Sequence, residues 1–192
     1  MAISLRLPTQ LTDEEIMDLS ARNPGLQIEQ APSGELILTP PASPDTGWRE
    51  VKLLAQLDRW ATEQGQGIVF SPSSGFRLPD GSLRCPDASW VRRERWSALT
   101  PAQRKGFGPM CPDAVFEIRS HSDSLSDLRE KMRMYLANGA QLGVLIDPQS
   151  RMVDVYEAGR EPRVQEQAES MPLAPVLPGF VLDLKPIFQY VE

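Results

Sequence analysis

Two hydrophobic periods take turns along this chain. Residues 114–120, AVFEIRS, alternate strictly, with Ala114, Phe116 and Ile118 on one side and Val115, Glu117 and Arg119 on the other, the period of a β-strand. The segment after it, 122–139, changes to the helical period. At about 100° per residue, Leu125, Leu128, Met132, Tyr135 and Leu136 fall within an arc of about 100°, with Lys131 about 40° from Tyr135. Asn138-Gly139 ends that helix. A helix is also predicted over 12–22, where Thr12 and Glu15 have capping-box spacing and Asn23-Pro24-Gly25 stops the run. Another is predicted over 48–65, with Val51, Leu54, Ala55, Leu57 and Ala61 near helical spacing and Gly65 and Gly67 at its end.

The remaining apolar runs read as strands. Residues 26–30 and 34–40 form a hairpin across Ala31-Pro32-Ser33-Gly34, and 67–71, 75–79 and 86–91 follow the second helix. Residues 141–147 and 152–158 pair as a second hairpin across Pro148-Gln149-Ser150-Arg151. Residues 40–47 read as a loop, 92–111 as a polar connection with short helices, and the Pro-rich tail as irregular up to 176–188. The expected organisation is one α/β domain, 1–192. An N-terminal helix and hairpin (1–47) precede a core with its hairpin (48–158), and the tail (159–192) packs on that core.

Composition narrows the setting. With 192 residues and two cysteines, the chain can bury a real core and has no disulfide framework. No apolar run is long enough to span a membrane. The N-terminal segment lacks a signal-peptide pattern, so a cytoplasmic protein is expected. The net charge of −6 argues against a chain that simply coats nucleic acid. The distribution is uneven, however. Residues 77–133 hold 11 Lys and Arg against 8 Asp and Glu, a local +3, while the rest holds 9 against 18, or −9. A phosphate-bearing partner suits the first stretch.

Glu117 invites a search for a second carboxylate. Asp113 is four residues earlier on the same strand, roughly 13 Å away at about 3.3 Å per residue, too far for two carboxylates to clasp one ion. Asp87 lies on a separate strand, and if that strand is the neighbour the spacing falls to about 4.8 Å. Arg119 shares the Glu117 face. Lys131, at the rim of the helix face that covers the sheet, can carry its ammonium to the same edge.

Pro86-Asp87, then Glu117-Ile118-Arg119, then a helix, resembles the PD-(D/E)XK nuclease superfamily. Within it, GELILTPP, GFRLPDGSLRCPDASWV, CPDAVFEIRSHSDSL, REKMRMYLANGAQLGVLIDP and LPGFVLDL, in this order over nearly the whole chain, resemble the Uma-type restriction endonucleases. The resemblance implies a restriction-endonuclease-like core, a mixed β-sheet flanked by helices, here with an N-terminal β-hairpin and a C-terminal hairpin. It implies Mg²⁺-dependent hydrolysis of phosphodiester bonds in DNA, with Mn²⁺ as a substitute. Asp87 and Glu117 would hold the ion, the Ile118 carbonyl would be a third ligand, and Glu50 on the 48–65 helix would complete the set. The superfamily lysine is replaced by Arg119, which cannot give up a proton at working pH. Phosphate binding is therefore assigned to Arg119 and the lysine role to Lys131.

Plainer roles stand beside these. Glu117 and Arg119 could form a structural ion pair, Asp87 could cap a turn, and Lys131 and Glu50 could be solvated helix residues. His121, the only histidine, cannot anchor a zinc site or a triad without a second one. Ser120 and Ser122 suit the start of a helix, and the four tryptophans suit packing better than stacking on bases. A fold-retaining module without catalysis, binding nucleic acid or protein, is the competing function. A two-fold homodimer through the tail or the 141–158 hairpin is the expected assembly.

Overall fold

The computed structural model describes residues 3–189. Strand β1 (Ile3–Leu5) and helix α1 (Asp13–Arg22) are followed by β2 (Gln27–Gln30) and β3 (Leu36–Thr39). The capping box forms as its spacing predicts: the Thr12 side chain accepts from the Glu15 N–H and the Glu15 side chain accepts from the Thr12 N–H. Helix α2 (Pro44–Gln64) comes next, then β4 (Gly67–Phe70), β5 (Phe76–Arg77), β6 (Leu83–Arg84) and β7 (Ala88–Arg92). Short helices α3 (Arg93–Ser97) and α4 (Pro101–Lys105) lead to β8 (Ala114–Ile118), α5 (Leu125–Ala137), β9 (Leu142–Asp147) and β10 (Met152–Glu157). The tail adds β11 (Arg163–Glu166), β12 (Ser170–Pro172), β13 (Val181–Asp183) and α6 (Lys185–Phe188).

Helix α2 starts at Pro44, inside the predicted loop. Ser43 caps it by accepting from the Thr46 N–H, and Pro44 takes the first turn, where a missing N–H costs nothing. The 75–79 run does not stay with its neighbours. Only Phe76–Arg77 is a strand, and it pairs with β6, which joins the N-terminal sheet in the order β1-β3-β2-β6-β5. What remains for the central sheet is β11-β10-β9-β8-β7-β4. It is mixed: β8 and β9 are parallel, and β7 pairs antiparallel with β8. The core elements follow one another in the chain as α2, β4-β7-β8, α5, β9. The 141–158 hairpin forms in register Met152↔Asp147 to Glu157↔Leu142. The tail is more regular than expected, and Leu173, Leu177, Phe180, Leu182 and Ile187 join the core.

The alternation of β8 sorts the interior. Ala114, Phe116 and Ile118 pack with Ala88, Trp90, Val144 and Ile146 against Leu53, Leu57 and Trp60 of α2. Val115 packs on the opposite face with Val91 and Leu145 against Met132 and Tyr135 of α5. Glu117 shares the Val115 side, so it points toward α5. Gly67 is required by the first of these layers, since a Cβ there would sit 2.0 Å from Trp90 Nε1.

Candidate active site

The antiparallel ladder between β7 and β8 runs Trp90↔Ala114, Ser89↔Val115, Ala88↔Phe116. One step further, at the end where the strands part, Asp87 stands opposite Glu117. Residues directly opposed across antiparallel strands share a face, so both carboxylates belong to the α5 side. The Asp87 side chain replaces the missing ladder bond: its Oδ2 accepts from the Ile118 N–H at 2.7 Å. Strand geometry turns the N–H and C=O of one residue toward the same neighbour, so the Ile118 carbonyl faces the Asp87 side too.

Helix α5 supplies the next two groups, one turn apart on its buried face. Lys131 Nζ lies 2.8 Å from Glu117 Oε1, and the Tyr135 hydroxyl donates to the same oxygen at 3.0 Å. The ammonium also reaches out of the central sheet, 3.3 Å from Glu29 Oε1 on β2. Glu29 is itself anchored, its Oε1 accepting from the Cys85 N–H at 2.8 Å and its Oε2 lying 3.4 Å from Arg84 Nη1. The N-terminal sheet therefore touches the site through Glu29 and through the residues just before Asp87.

The charges are crowded into a poorly solvated space. Burial, foremost, pushes the Glu117 carboxyl up to about 8, with Asp87 and Glu29 adding to the rise and Lys131 opposing it. Burial likewise lifts Asp87 to about 7, opposed by the Ile118 N–H bond and Lys131 and reinforced by Glu50 and Asp123. Glu50, half-buried on α2, is raised by burial and by the charge of Glu117. Glu29 goes the other way: burial opposes its charge, but Lys131, Arg84 and the Cys85 N–H outweigh it. Burial also opposes the Lys131 charge, and Glu117 and Glu29 overcome it, holding the ammonium protonated well above the usual lysine range.

Asp87, Glu117, Lys131 and the Ile118 backbone thus meet at one strand end, and Glu50 stands within electrostatic reach. Arg119 has a duty not expected of it: Nη1 donates to Asp147 Oδ2 on β9 at 2.8 Å, and Nε donates to the Asp123 carbonyl at 3.2 Å. Glu117 and Arg119 share a face, yet each pairs with another residue. Asp113 lies at the far end of β8, accepting from the Arg92 N–H at 2.9 Å and pairing with Arg95 at 3.0 Å. His121 is exposed, and Trp60 and Trp90 are core residues. Glu29, Arg84 and Asp147 were not foreseen. Tyr135 was foreseen only as an apolar member of α5. Its position four residues after Lys131 was the one available signal, because such a pair shares a helix face.

A divalent cation fits this donor set. Asp87, Glu117 and the Ile118 carbonyl are hard oxygen donors, the type Mg²⁺ selects. Both carboxyls are raised because burial and nearby carboxylates disfavour their charges, a penalty that a cation would relieve. Among the described residues, no three His, Cys, Asp or Glu side chains are grouped to hold a metal. Two carboxylates and a carbonyl suffice for Mg²⁺, which usually keeps several of its waters.

No curated protein matches the chain. Among solved structures, a "putative nuclease belonging to DUF820" from Anabaena variabilis ATCC 29413 is similar in fold, with a TM-score of 0.75 and 22% identity over 93% of this chain and 97% of that one. A DrdV–DNA complex aligns at a TM-score of 0.39 and 13% identity over 64% of this chain and 12% of that one, too distant to carry an argument. The family profile of Uma2, described as "Putative restriction endonuclease", matches residues 13–185. With its restriction-endonuclease-like fold and a match over most of its length, the chain belongs to the Uma2 family.

Proposed function

We propose that this protein is a Mg²⁺-dependent endonuclease that hydrolyses phosphodiester bonds in DNA. The observation that carries the reading is the register that sets Asp87 opposite Glu117, on one face, where β7 and β8 separate. The local excess of basic residues over 77–133 and the family's description support a nucleic-acid substrate.

Asp87, Glu117 and the Ile118 carbonyl would hold the ion, with Glu50 adding negative charge from α2. When bound, Mg²⁺ or Mn²⁺ polarises the phosphoryl group and lowers the pKa of a bound water. The chain's own residues do the rest. The Ile118 N–H fixes Asp87, and the Tyr135 hydroxyl fixes Glu117. Lys131 is held protonated, so it is no proton acceptor; it orients water and offsets negative charge developing on the phosphate. Arg119, braced on Asp147 and on the Asp123 carbonyl, sets a second fixed positive charge on the face of Glu117, where its Nη2 can meet a phosphate oxygen.

The test is cleavage of supercoiled DNA by the purified protein with Mg²⁺ and with EDTA. Metal-dependent cleavage is expected in the wild type and is abolished in Asp87→Ala and in Glu117→Ala; cleavage unchanged by both overturns the mechanism. One observation favours a non-catalytic module instead: the Lys131 ammonium, 2.8 Å from Glu117 Oε1, by itself offsets the charge of that carboxylate. For the enzyme, Mn²⁺ binding by calorimetry disappears in Asp87→Asn. For the module, DNA or protein binding is indifferent to metal and to that change.

A further inference from the structure

Lys131 is shared. Its ammonium contacts Glu117 Oε1 at 2.8 Å and Glu29 Oε1 at 3.3 Å. The Glu117 oxygen involved also accepts from the Tyr135 hydroxyl, and Glu117 is a residue that would turn its charge to a cation. The site would then face a conflict, because an ammonium and a metal ion compete for one carboxylate. Glu29 resolves it. It is 6% exposed, it is tied to the backbone of Cys85, and Arg84 helps to keep it ionised. It lies on a different sheet from Asp87 and Glu117, so it can hold the lysine without belonging to the ion's ligand set.

We infer that Glu29 is the positioning residue for Lys131: it retains the ammonium at the site when Glu117 engages the cation. The inference rests on the metal-dependent reading above. Cation binding shifts the lysine from a Glu117–Glu29 bridge to Glu29, at the same place and with its proton kept. An ammonium has three donors, so the transfer needs only a change of partner, with no large movement of α5. Without the Glu29 charge, Lys131 either stays on Glu117 and competes with the ion or leaves for solvent.

The experiment follows the Lys131 ammonium itself by ¹⁵N-detected NMR of the full chain, assigned with Lys131→Arg, during a Mg²⁺ titration. In the wild type the Lys131 signal is expected to move on Mg²⁺ addition and to remain in slow exchange with water, as a hydrogen-bonded ammonium does. In Glu29→Gln, which keeps the shape and one acceptor, the Mg²⁺-bound signal broadens away. The variant's kcat on DNA falls about tenfold or more, while its KM stays near that of the wild type.

A wild-type signal that does not respond to bound Mg²⁺, or that vanishes on binding, overturns the role of Glu29 without need of a variant. So does a Glu29→Gln protein with wild-type signal and rate. The two failures are separable. Cleavage that survives in Asp87→Ala, or a wild-type protein that binds no Mg²⁺, overturns the nuclease reading and this inference together. Loss of cleavage in Asp87→Ala beside an unaffected Glu29→Gln overturns the inference alone.

Discussion

Asp87 and Glu117 are carboxylic acids in a place that disfavours their charges. Burial first, then neighbouring carboxylates (Glu50 and Asp123 for Asp87, Asp87 and Glu29 for Glu117), raise them to about 7 and about 8, against roughly 4 for an unfolded chain. The folded protein therefore binds more protons than the unfolded chain between these values, and stability falls as pH rises through that window. In metal-free buffer the melting temperature should decline from pH 5 to pH 8.5, and Mg²⁺ should recover most of the loss at the upper end. A flat profile, or one that Mg²⁺ leaves unchanged, contradicts this account. Asp147 has the opposite sign: the Arg119 bond lowers its pKa although burial opposes it, so its contribution is lost only as pH falls below about 4. Removing Arg119 leaves the Asp147 side chain, 3% exposed, without its guanidinium. Arg119→Ala should lower stability by about 2 kcal/mol in urea denaturation, whereas an exposed arginine with only a substrate role would change it little.

Secondary structure shows how far local pattern reaches. Helix α1 forms where capping, spacing and stop signals place it, and α5 keeps its expected period and stop but starts at Leu125, capped by Ser124 rather than by Ser120 or Ser122. Helix α2 began earlier than its apolar spacing suggested; Ser43 and Pro44 carried the start, and those are capping signals that hydrophobic period does not register. The 75–79 run gives no sign of its sheet and β6 is not predicted at all, because two residues each are too few to show a period. Strand β5 pairs with β6, and β6 pairs with β2, far away in the chain, through Gln30↔Leu83. At this scale the tightest constraint is Gly67 under the Trp90 ring. Gly67→Ala forces the Cβ within 2.0 Å of a rigid indole. It should cost about 1–3 kcal/mol by overpacking, and a shift of the near-UV tryptophan signal should accompany the loss. An unchanged melting curve contradicts that packing.

The described residues form three sheets: the central one, the small β12-β13 pair of the tail, and the N-terminal one, which is completed from mid-chain by β6 and β5. Its core holds Ile16, Ile28, Leu36 and Leu83, so residues from both ends of that sheet's sequence must fold together. Leu83 is fully buried, and Leu83→Ala should cost about 2–5 kcal/mol. Far-UV and near-UV melting should shift together, because β6 continues directly into Asp87 and β7. Two separate transitions would mean that the N-terminal sheet unfolds independently. No helix among the described residues is long and apolar enough to cross a membrane.

Local chemistry was enough to mark Asp87, Glu117 and Lys131 as candidates and to write the order of the core elements, because alternation, helical period and capping act over a few residues. The ordered motifs added the family. What awaited the fold was every relation across distance. The register that opposes Asp87 to Glu117, the pairing of Arg119 with Asp147, and the reach of Glu29 to Lys131 all depend on which strands neighbour one another. Glu29 illustrates the limit: in its own strand it reads as the polar partner of Ile28, facing water. Only the packing of one sheet against α5 of the other buries it beside an ammonium, and that buried pairing turns an ordinary surface residue into part of the site.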